Sequence, residues 1–221
     1  MLNLFYTAAS WEVLDAGALE IMRERVLPEV REEVASCANR KNIIRRLAGE
    51  ILLSVAVKQC WGLDRNSYRV LRGQGKPRLE GVTGIHFNIS HSGDYVLCAV
   101  SDAEVGVDIE RRGVARMNVA RRFFHPREVC GLESLPVEEQ HTRFFDYWSV
   151  KEAYLKFKGT GLRQSLSSFW VEFTGTSVLL RENECLVPVH VQACCLDERY
   201  SCYVCSCLNE PVVVQRLDLI R

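Results

Sequence analysis

The 221-residue chain has no net charge, 28 basic residues balancing 28 acidic ones. A neutral molecule has no overall pull on nucleic acid or on an anionic membrane, so neither is expected as a partner and any anion binding has to be local. Long apolar runs are missing as well. The longest, Ile51 to Val57, falls far short of the roughly 18 residues that span a bilayer. The first residues, Met1-Leu2-Asn3-Leu4-Phe5-Tyr6, hold no basic leader and soon meet Glu12 and Asp15, the wrong order for a secretory signal, so a cytoplasmic protein is expected. Prolines number only 6, no low-complexity tract occurs, and 48% of residues are apolar. That is a folded globular composition, long enough for one large domain or two small ones.

Against these absences stand ten cysteines. In a secreted chain they would suggest disulfides, but nothing points to secretion. Cys202-x-x-Cys205 has half of a zinc-ligand spacing, with no second pair. Cys194 and Cys195 would face opposite sides of a strand, and Tyr200 to Leu208 is itself strand-like. Packing as small buried hydrophobes is the expectation, and a zinc-binding interaction module is the alternative.

From Asn42 to Trp61, Ile43, Leu47, Ile51 and Val55 recur at helical spacing, and Ile44, Ala48 and Leu52 widen the stripe. A short strand is expected at Tyr68 to Leu71, then a turn at Gly73-Gln74-Gly75-Lys76-Pro77, then strands at Gly84 to Ile89 and Asp94 to Val100, close enough for a hairpin. The second half repeats the order: a helix over Phe144 to Lys158, a stop at Gly159-Thr160-Gly161, and strands at Ser168 to Phe173, Val178 to Leu180 and Tyr200 to Leu208. Periodicity therefore supports mixed α and β structure in two pseudo-repeats, with a natural cut near residue 104 into units 1–104 and 105–221.

Three segments carry chemistry. Glu104-Val105-Gly106-Val107-Asp108-Ile109-Glu110 alternates as a half-buried strand does, and period two sets Asp108 and Glu110 on one face, about 7 Å apart. Carboxylates that close repel unless a cation lies between them, and an all-oxygen set suits magnesium; a solvated strand face beside Arg111 and Arg112 is the plainer possibility. Trp148-Ser149-Val150-Lys151-Glu152-Ala153-Tyr154-Leu155-Lys156 puts Trp148, Glu152 and Lys156 on one helical face. Glu152 and Lys156 could be a simple surface pair, but the aromatic flank from Phe144 to Trp148 would bury this part of the helix and leave Glu152 needing a strong partner. Phe87-Asn88-Ile89-Ser90-His91-Ser92-Gly93 reads as a polar turn ending a strand, suited to phosphate oxygens or to a plain hairpin.

Taken in order, Gly75-Lys76-Pro77, Phe87 to Ser92, Gly106 to Glu110 and Trp148 to Lys156 closely resemble the signature of the phosphopantetheinyl transferases, in the long, monomeric, pseudo-duplicated Sfp-like branch with its W-x-x-K-E-A motif. The resemblance covers about residues 45 to 169, from Arg45-Arg46-Leu47-Ala48-Gly49-Glu50 to Ser168-Phe169. It implies an α+β fold of two similar subdomains related by pseudo-two-fold symmetry, with coenzyme A in the cleft between them, and a monomer. It further implies transfer of 4'-phosphopantetheine from coenzyme A to a serine hydroxyl of an apo acyl or peptidyl carrier protein, with release of adenosine 3',5'-bisphosphate. Magnesium, or manganese in its place, would be held by Asp108, Glu110 and Glu152. Glu152, or a water it holds, would accept the serine proton, and Lys156 would neutralise charge on the diphosphate. Arg45, Gly75, Lys76, Pro77, Ser90 and His91 become coenzyme A contacts, with Arg45 on the 3'-phosphate. Trp148 and Lys151 are support.

Upstream the match weakens. Where some relatives carry lysines, Pro28-Glu29-Val30-Arg31-Glu32-Glu33 offers Val30 and Glu33, leaving Arg31, Arg40 or Lys41 as substitutes. From Arg111 to Arg127 stand Arg111, Arg112, Arg116, Arg121, Arg122 and Arg127 with no acid among them. Such an excess fits docking of an acidic carrier protein or an ordinary basic helix. A coenzyme A-binding regulatory relative is the alternative to an enzyme, although all three carboxylates and Lys156 are retained.

Overall fold

The computed structural model describes residues 1–8, 14–73 and 75–220; Glu12 of the acidic N-terminal stretch and Gln74 of the glycine-rich turn lie outside them. The elements run β1 (Leu2–Ala8), α1 (Ala16–Glu24), α2 (Pro28–Ala35), α3 (Arg40–Trp61), β2 (Arg69–Leu71), β3 (Arg78–Glu80), β4 (His86–Ser92), β5 (Tyr95–Ser101) and β6 (Val105–Arg111). There follow α4 (Met117–Phe123), α5 (Pro126–Glu133), α6 (Val137–Lys158), β7 (Phe169–Thr174), β8 (Ser177–Glu182), β9 (Cys185–Leu186), β10 (His190–Ala193), β11 (Tyr200–Ser206) and β12 (Val213–Arg216).

Two 22-residue helices dominate. Helix α3 opens where the Asn39 side chain accepts from the Asn42 amide, and closes at Gly62, whose φ of 72° costs glycine nothing. Helix α6 closes in the same way at Gly159, φ 67°. One sheet has the order β12-β1-β5-β4, the other β6-β11-β10-β8-β7 with β9 added on β8, and β2 pairs with β3 alone.

The core explains these layers. Helix α3 buries Leu47, Ile51 and Ala48 against Phe5, Val96, Cys98 and Val100 on one face of the first sheet. The opposite face, with Leu4, Leu97 and Ala99, meets Val107, Ile109, Cys202 and Val204 of the second sheet. Helix α6 covers the far face of that sheet, where Val150, Ala153 and Tyr154 pack on Tyr203 and Cys205. Strands β5 and β11 are buried at every position, which is why they read as near-continuous apolar runs and not as alternations. This is the two-part α+β architecture expected.

Two expectations are corrected. The stretch Ser90 to Gly93 is not a turn after a strand ending at Ile89: β4 continues through Ser92 and pairs with β5 to the register Ser92↔Tyr95, so only Gly93, at φ 52°, and Asp94 make the bend. The arginine-rich stretch is not one helix either. It is the end of β6, a loop, α4, an extended Phe124 and the Pro126 start of α5. The C-terminal strand β12 runs parallel to β1, so the chain returns to the first sheet after completing the second. No helix among the described residues is long and apolar enough to cross a membrane.

The two sheets also meet edge to edge, at β4 and β6. The amides of Val107, Ile109 and Arg111 donate to Asn88 Oδ1, Ser90 Oγ and Ser92 Oγ at 2.9, 3.3 and 3.0 Å. Side chains of one edge thus satisfy the backbone of the other, in place of a ladder. On the α6 side, Gly106 lets the strand touch the helix backbone: a Cβ there would collide with the Ala153 carbonyl oxygen and the Phe157 amide nitrogen. Gly106→Ala is therefore expected to cost about 3 kcal/mol or more, read by urea unfolding. Gly73→Ala, where a Cβ meets nothing within 4 Å, should stay within about 0.5 kcal/mol of wild type.

Candidate active site at the seam between the sheets

The alternation of β6 sends Val105, Val107 and Ile109 into the inter-sheet core, leaving Gly106, Asp108 and Glu110 toward α6. Asp108 is 3% exposed. Its Oδ1 accepts from Lys156 Nζ at 2.6 Å and from Ser90 Oγ at 3.0 Å, while Oδ2 is buried without any partner. Glu110 accepts from Ser92 Oγ at 3.0 Å. Lys156 also donates to Ser90 Oγ at 2.9 Å, so β4, β6 and α6 converge on one hydroxyl. Glu152, one turn before Lys156, is half-buried.

Electrostatics tie the three acids together. Burial, then the charge of Asp108, pushes the Glu110 carboxyl up to about 7, with Ser92 and Lys156 opposing and Glu152 adding to the rise. Burial and Asp108 likewise raise Glu152. The two strand carboxylates and the helix carboxylate thus crowd one neighbourhood, where each disfavours charge on another. As they stand, no three His, Cys, Asp or Glu side chains among the described residues close around a single ion; the ammonium of Lys156 is the cation on Asp108. The donor set still suits a hard divalent ion: oxygen atoms from two elements, one of them buried and unsatisfied.

The remaining expected residues, Ser90 excepted, divide between two hollows. Gly75, Lys76, Pro77 and Lys156 line a cleft of about 500 Å³ that Asn88 and Gly159 also border, so both halves contribute to it. Arg45, Pro77 and His91 line a second cavity of about 470 Å³, on the α3 side of β4. Pro77 and Asn88 belong to both walls, so the two hollows adjoin. Ser90 is 5% exposed and is engaged by Asp108, Lys156 and Ile109. The Lys76 ammonium turns to Glu104 Oε2 at 2.5 Å and the Val105 carbonyl at 2.6 Å, joining the GKP turn to β6. Burial, then Arg45, lowers His91, favouring its neutral ring. Arg31 is spent on the Val26 and Glu24 carbonyls and Arg40 on that of Leu14, so neither lines the cavity.

Lys151 is fully buried beside Glu128 at 2.9 Å and donates to the Leu166 and Phe169 carbonyls, both at 2.8 Å. It anchors the helix that carries Glu152. Of the arginines, Arg112 is tied to Asp146, Ser201 and the Glu198 carbonyl, whereas Arg111, Arg116, Arg121 and Arg122 are exposed. Cys202 faces the inter-sheet core and Cys205 the α6 core, opposite sides of β11, so the C-x-x-C pair cannot grip one ion together.

Sequence reasoning missed the structural duty of Asn88 and Ser92, and the cluster around buried Glu50. The first was signalled by polar residues at period two, Asn88, Ser90 and Ser92, which mark one face of a strand. The second was signalled by Arg46 and Glu50 at i, i+4 inside an apolar helix.

Comparison with known proteins agrees with this two-part layout. Residues 9–103 match the family described as 4'-phosphopantetheinyl transferase, N-terminal, and residues 104–205 match the 4'-phosphopantetheinyl transferase superfamily. The chain is 34% identical over 203 residues to 4'-phosphopantetheinyl transferase psf-1 of Bacillus pumilus, covering 89% of this chain and 86% of that one. It is 30% identical over 207 residues to 4'-phosphopantetheinyl transferase gsp of Aneurinibacillus migulanus, at 93% and 86% coverage. With 4'-phosphopantetheinyl transferase Sfp of Bacillus subtilis (strain 168) it shares 31% identity over 82% of each chain. The chain belongs to the 4'-phosphopantetheinyl transferase superfamily.

Glu110 supplies a pH test. Its folded pKa of about 7 lies above the ordinary 4.5, so the folded chain holds the extra proton between those values. The stability it contributes is fully present below about 4.5 and is lost as pH rises through about 7. Without added metal, Glu110→Gln is expected to melt above the wild type at pH 8 and to lose that advantage at pH 5. Parallel melting curves at both pH values would show that the carboxylate is not strained by its neighbours.

Proposed function

We propose that the chain transfers the 4'-phosphopantetheine group of coenzyme A to a serine hydroxyl on an apo carrier protein, acting as a monomer. The observation that carries this reading is the Lys156 ammonium on Asp108 at the seam, with Glu110 and Glu152 in electrostatic reach of both, beside a cleft that both halves line.

The serine oxygen attacks the β-phosphorus of coenzyme A, the bond from that phosphorus to the oxygen bridging toward the α-phosphate breaks, and adenosine 3',5'-bisphosphate leaves. The serine proton goes to Glu152, whose raised proton affinity moves it toward the range where a carboxylate works as a general base near neutral pH. Lys156, 2.6 Å from Asp108, offers its ammonium to the diphosphate as negative charge builds on the leaving oxygen. Magnesium, when bound, would be held by Asp108, Glu110 and Glu152 and would supply Lewis acidity at the diphosphate. Its all-oxygen donors and the orphaned Asp108 Oδ2 support that assignment.

The exposed arginines Arg111, at the end of β6, and Arg116, Arg121 and Arg122, beyond it, share a stretch of chain with Val114, 75% exposed, and Phe123, 41% exposed; Arg122 lies over the Phe123 ring and Arg121 pairs with Glu133 at the surface. An exposed basic stretch carrying exposed apolar side chains fits an acidic carrier surface. Arg112, being tied into the fold, is left out of this surface.

Incubation with coenzyme A, magnesium and an apo peptidyl carrier domain should add the phosphopantetheine mass to the carrier, and Glu152→Gln should slow that addition by about 10² to 10⁴. An unslowed variant would remove Glu152 from the chemistry. Replacing both Arg121 and Arg122 by Glu should raise the carrier KM while leaving that for coenzyme A alone; unchanged carrier kinetics would discard the docking surface.

A further inference from the structure

The cavity on the α3 side of β4 is lined by three guanidinium groups, Arg45, Arg46 and Arg72, and by one carboxylate, Glu33. Such an excess of fixed cations suits a phosphomonoester dianion. The partners of each cation decide which are available. Arg46 is occupied on both sides: Nη1 donates to Glu50 Oε2 at 2.7 Å, and Nε and Nη2 donate to the two oxygens of Glu33 at 2.9 and 2.8 Å. Arg65 takes the other oxygen of Glu50 at 3.0 and 2.6 Å. Arg72 arrives third, with a single 3.3 Å contact to Glu50 and 37% of its side chain exposed. Burial, then the like charge of Arg46, lowers its pKa, with Glu50 and Glu33 opposing. Arg45 Nε is buried with no partner at all.

Glu33 is different. Its side chain is 52% exposed, yet its carboxylate lies across the Arg46 fork with two parallel hydrogen bonds, the same bidentate geometry a phosphate would use. Moving it into solvent uncovers the fork without opening the core.

We infer that Glu33 is a built-in competitor for the 3'-phosphate of the donor, occupying the Arg46 guanidinium, and that Arg72 is the cation by which this chain tells coenzyme A from its 3'-dephospho form. The inference rests on the reading of coenzyme A as donor, whose one phosphomonoester is the 3'-phosphate. Glu33 acts through Arg46 and is a positioning residue; Arg72 meets the phosphate itself. Arg45, Arg46 and Arg72 are the cations left in this cavity, while Val30 and Glu33 stand in place of the upstream lysines of some relatives.

Calorimetric titration of the full chain with coenzyme A and with 3'-dephospho-coenzyme A tests this. Glu33→Gln should tighten coenzyme A about fivefold and Arg72→Gln should weaken it about tenfold, with the dephospho ligand changing by less than about twofold in either variant. Glu33→Gln keeps shape at an exposed position, so it reports even where Arg72→Gln disturbs the Glu50 cluster. A Glu33→Gln protein that binds coenzyme A no more tightly, or an Arg72→Gln protein that loses both ligands equally, overturns the inference and leaves the transferase reading standing. Wild-type chain that binds neither ligand overturns both.

Discussion

Strand β6 has one edge in a ladder with β11 and the other against β4, where Asn88, Ser90 and Ser92 take its amides. Backbone amides buried at such an edge must find acceptors, and three short polar side chains at period two provide them while holding the strands apart by a side chain's width. The same hydroxyls then turn to the acids: Ser90 to Asp108 and Ser92 to Glu110. Satisfying the seam and assembling the site are one structural act, so the carboxylates cannot drift without breaking the contact between the halves.

Charge at this seam is expensive, and the fold meets the cost with anchored cations. Lys156 neutralises Asp108 directly. Its helix is fixed five residues earlier by Lys151, whose buried pair with Glu128 is closed by the His125 and Val171 amides. A buried pair closed by further hydrogen bonds on both partners gains little net stability but is costly to break, and it fixes the helix that carries Glu152 and Lys156. On the opposite side of β4, Glu50 performs the corresponding task for Arg46 and Arg65, and the two hollows share the wall formed by Pro77 and Asn88. The two hollows thus lie against elements held by separate ionic anchors.

Much of this was legible beforehand. Helices α3 and α6 announce themselves by apolar stripes and by Gly62 and Gly159, and the same-face placement of Asp108 with Glu110, and of Glu152 with Lys156, follows from periods of 2 and 3.6. What misled was the polarity of Ser90-His91-Ser92. Hydroxyls and an imidazole suggest a loop when solvent is their only imagined partner, whereas here a neighbouring strand edge consumes the two hydroxyls and His91 faces the cavity on the other side of the strand. Elements α1, α2, α4 and α5 were missed because short helices carry few periods to count, and β12 because its partner, β1, lies at the other end of the chain.

By itself, then, the order of residues determined helix α3, the part of α6 from Phe144 onward, the apolar strands and which acids and bases stand together, since spacing along one element dictates which side chains share a face; their action on a diphosphate was implied by the family resemblance. It could not decide which polar groups spend their hydrogen bonds inside the fold. Ser90, Lys76 and Arg46 are chemically equal to ligand-binding residues until packing places Ile109, Glu104 or Glu33 within reach. Only tertiary structure, by juxtaposing segments far apart in the chain, separates the groups already satisfied from those, such as Asp108 Oδ2 and Arg45 Nε, that are left wanting a partner.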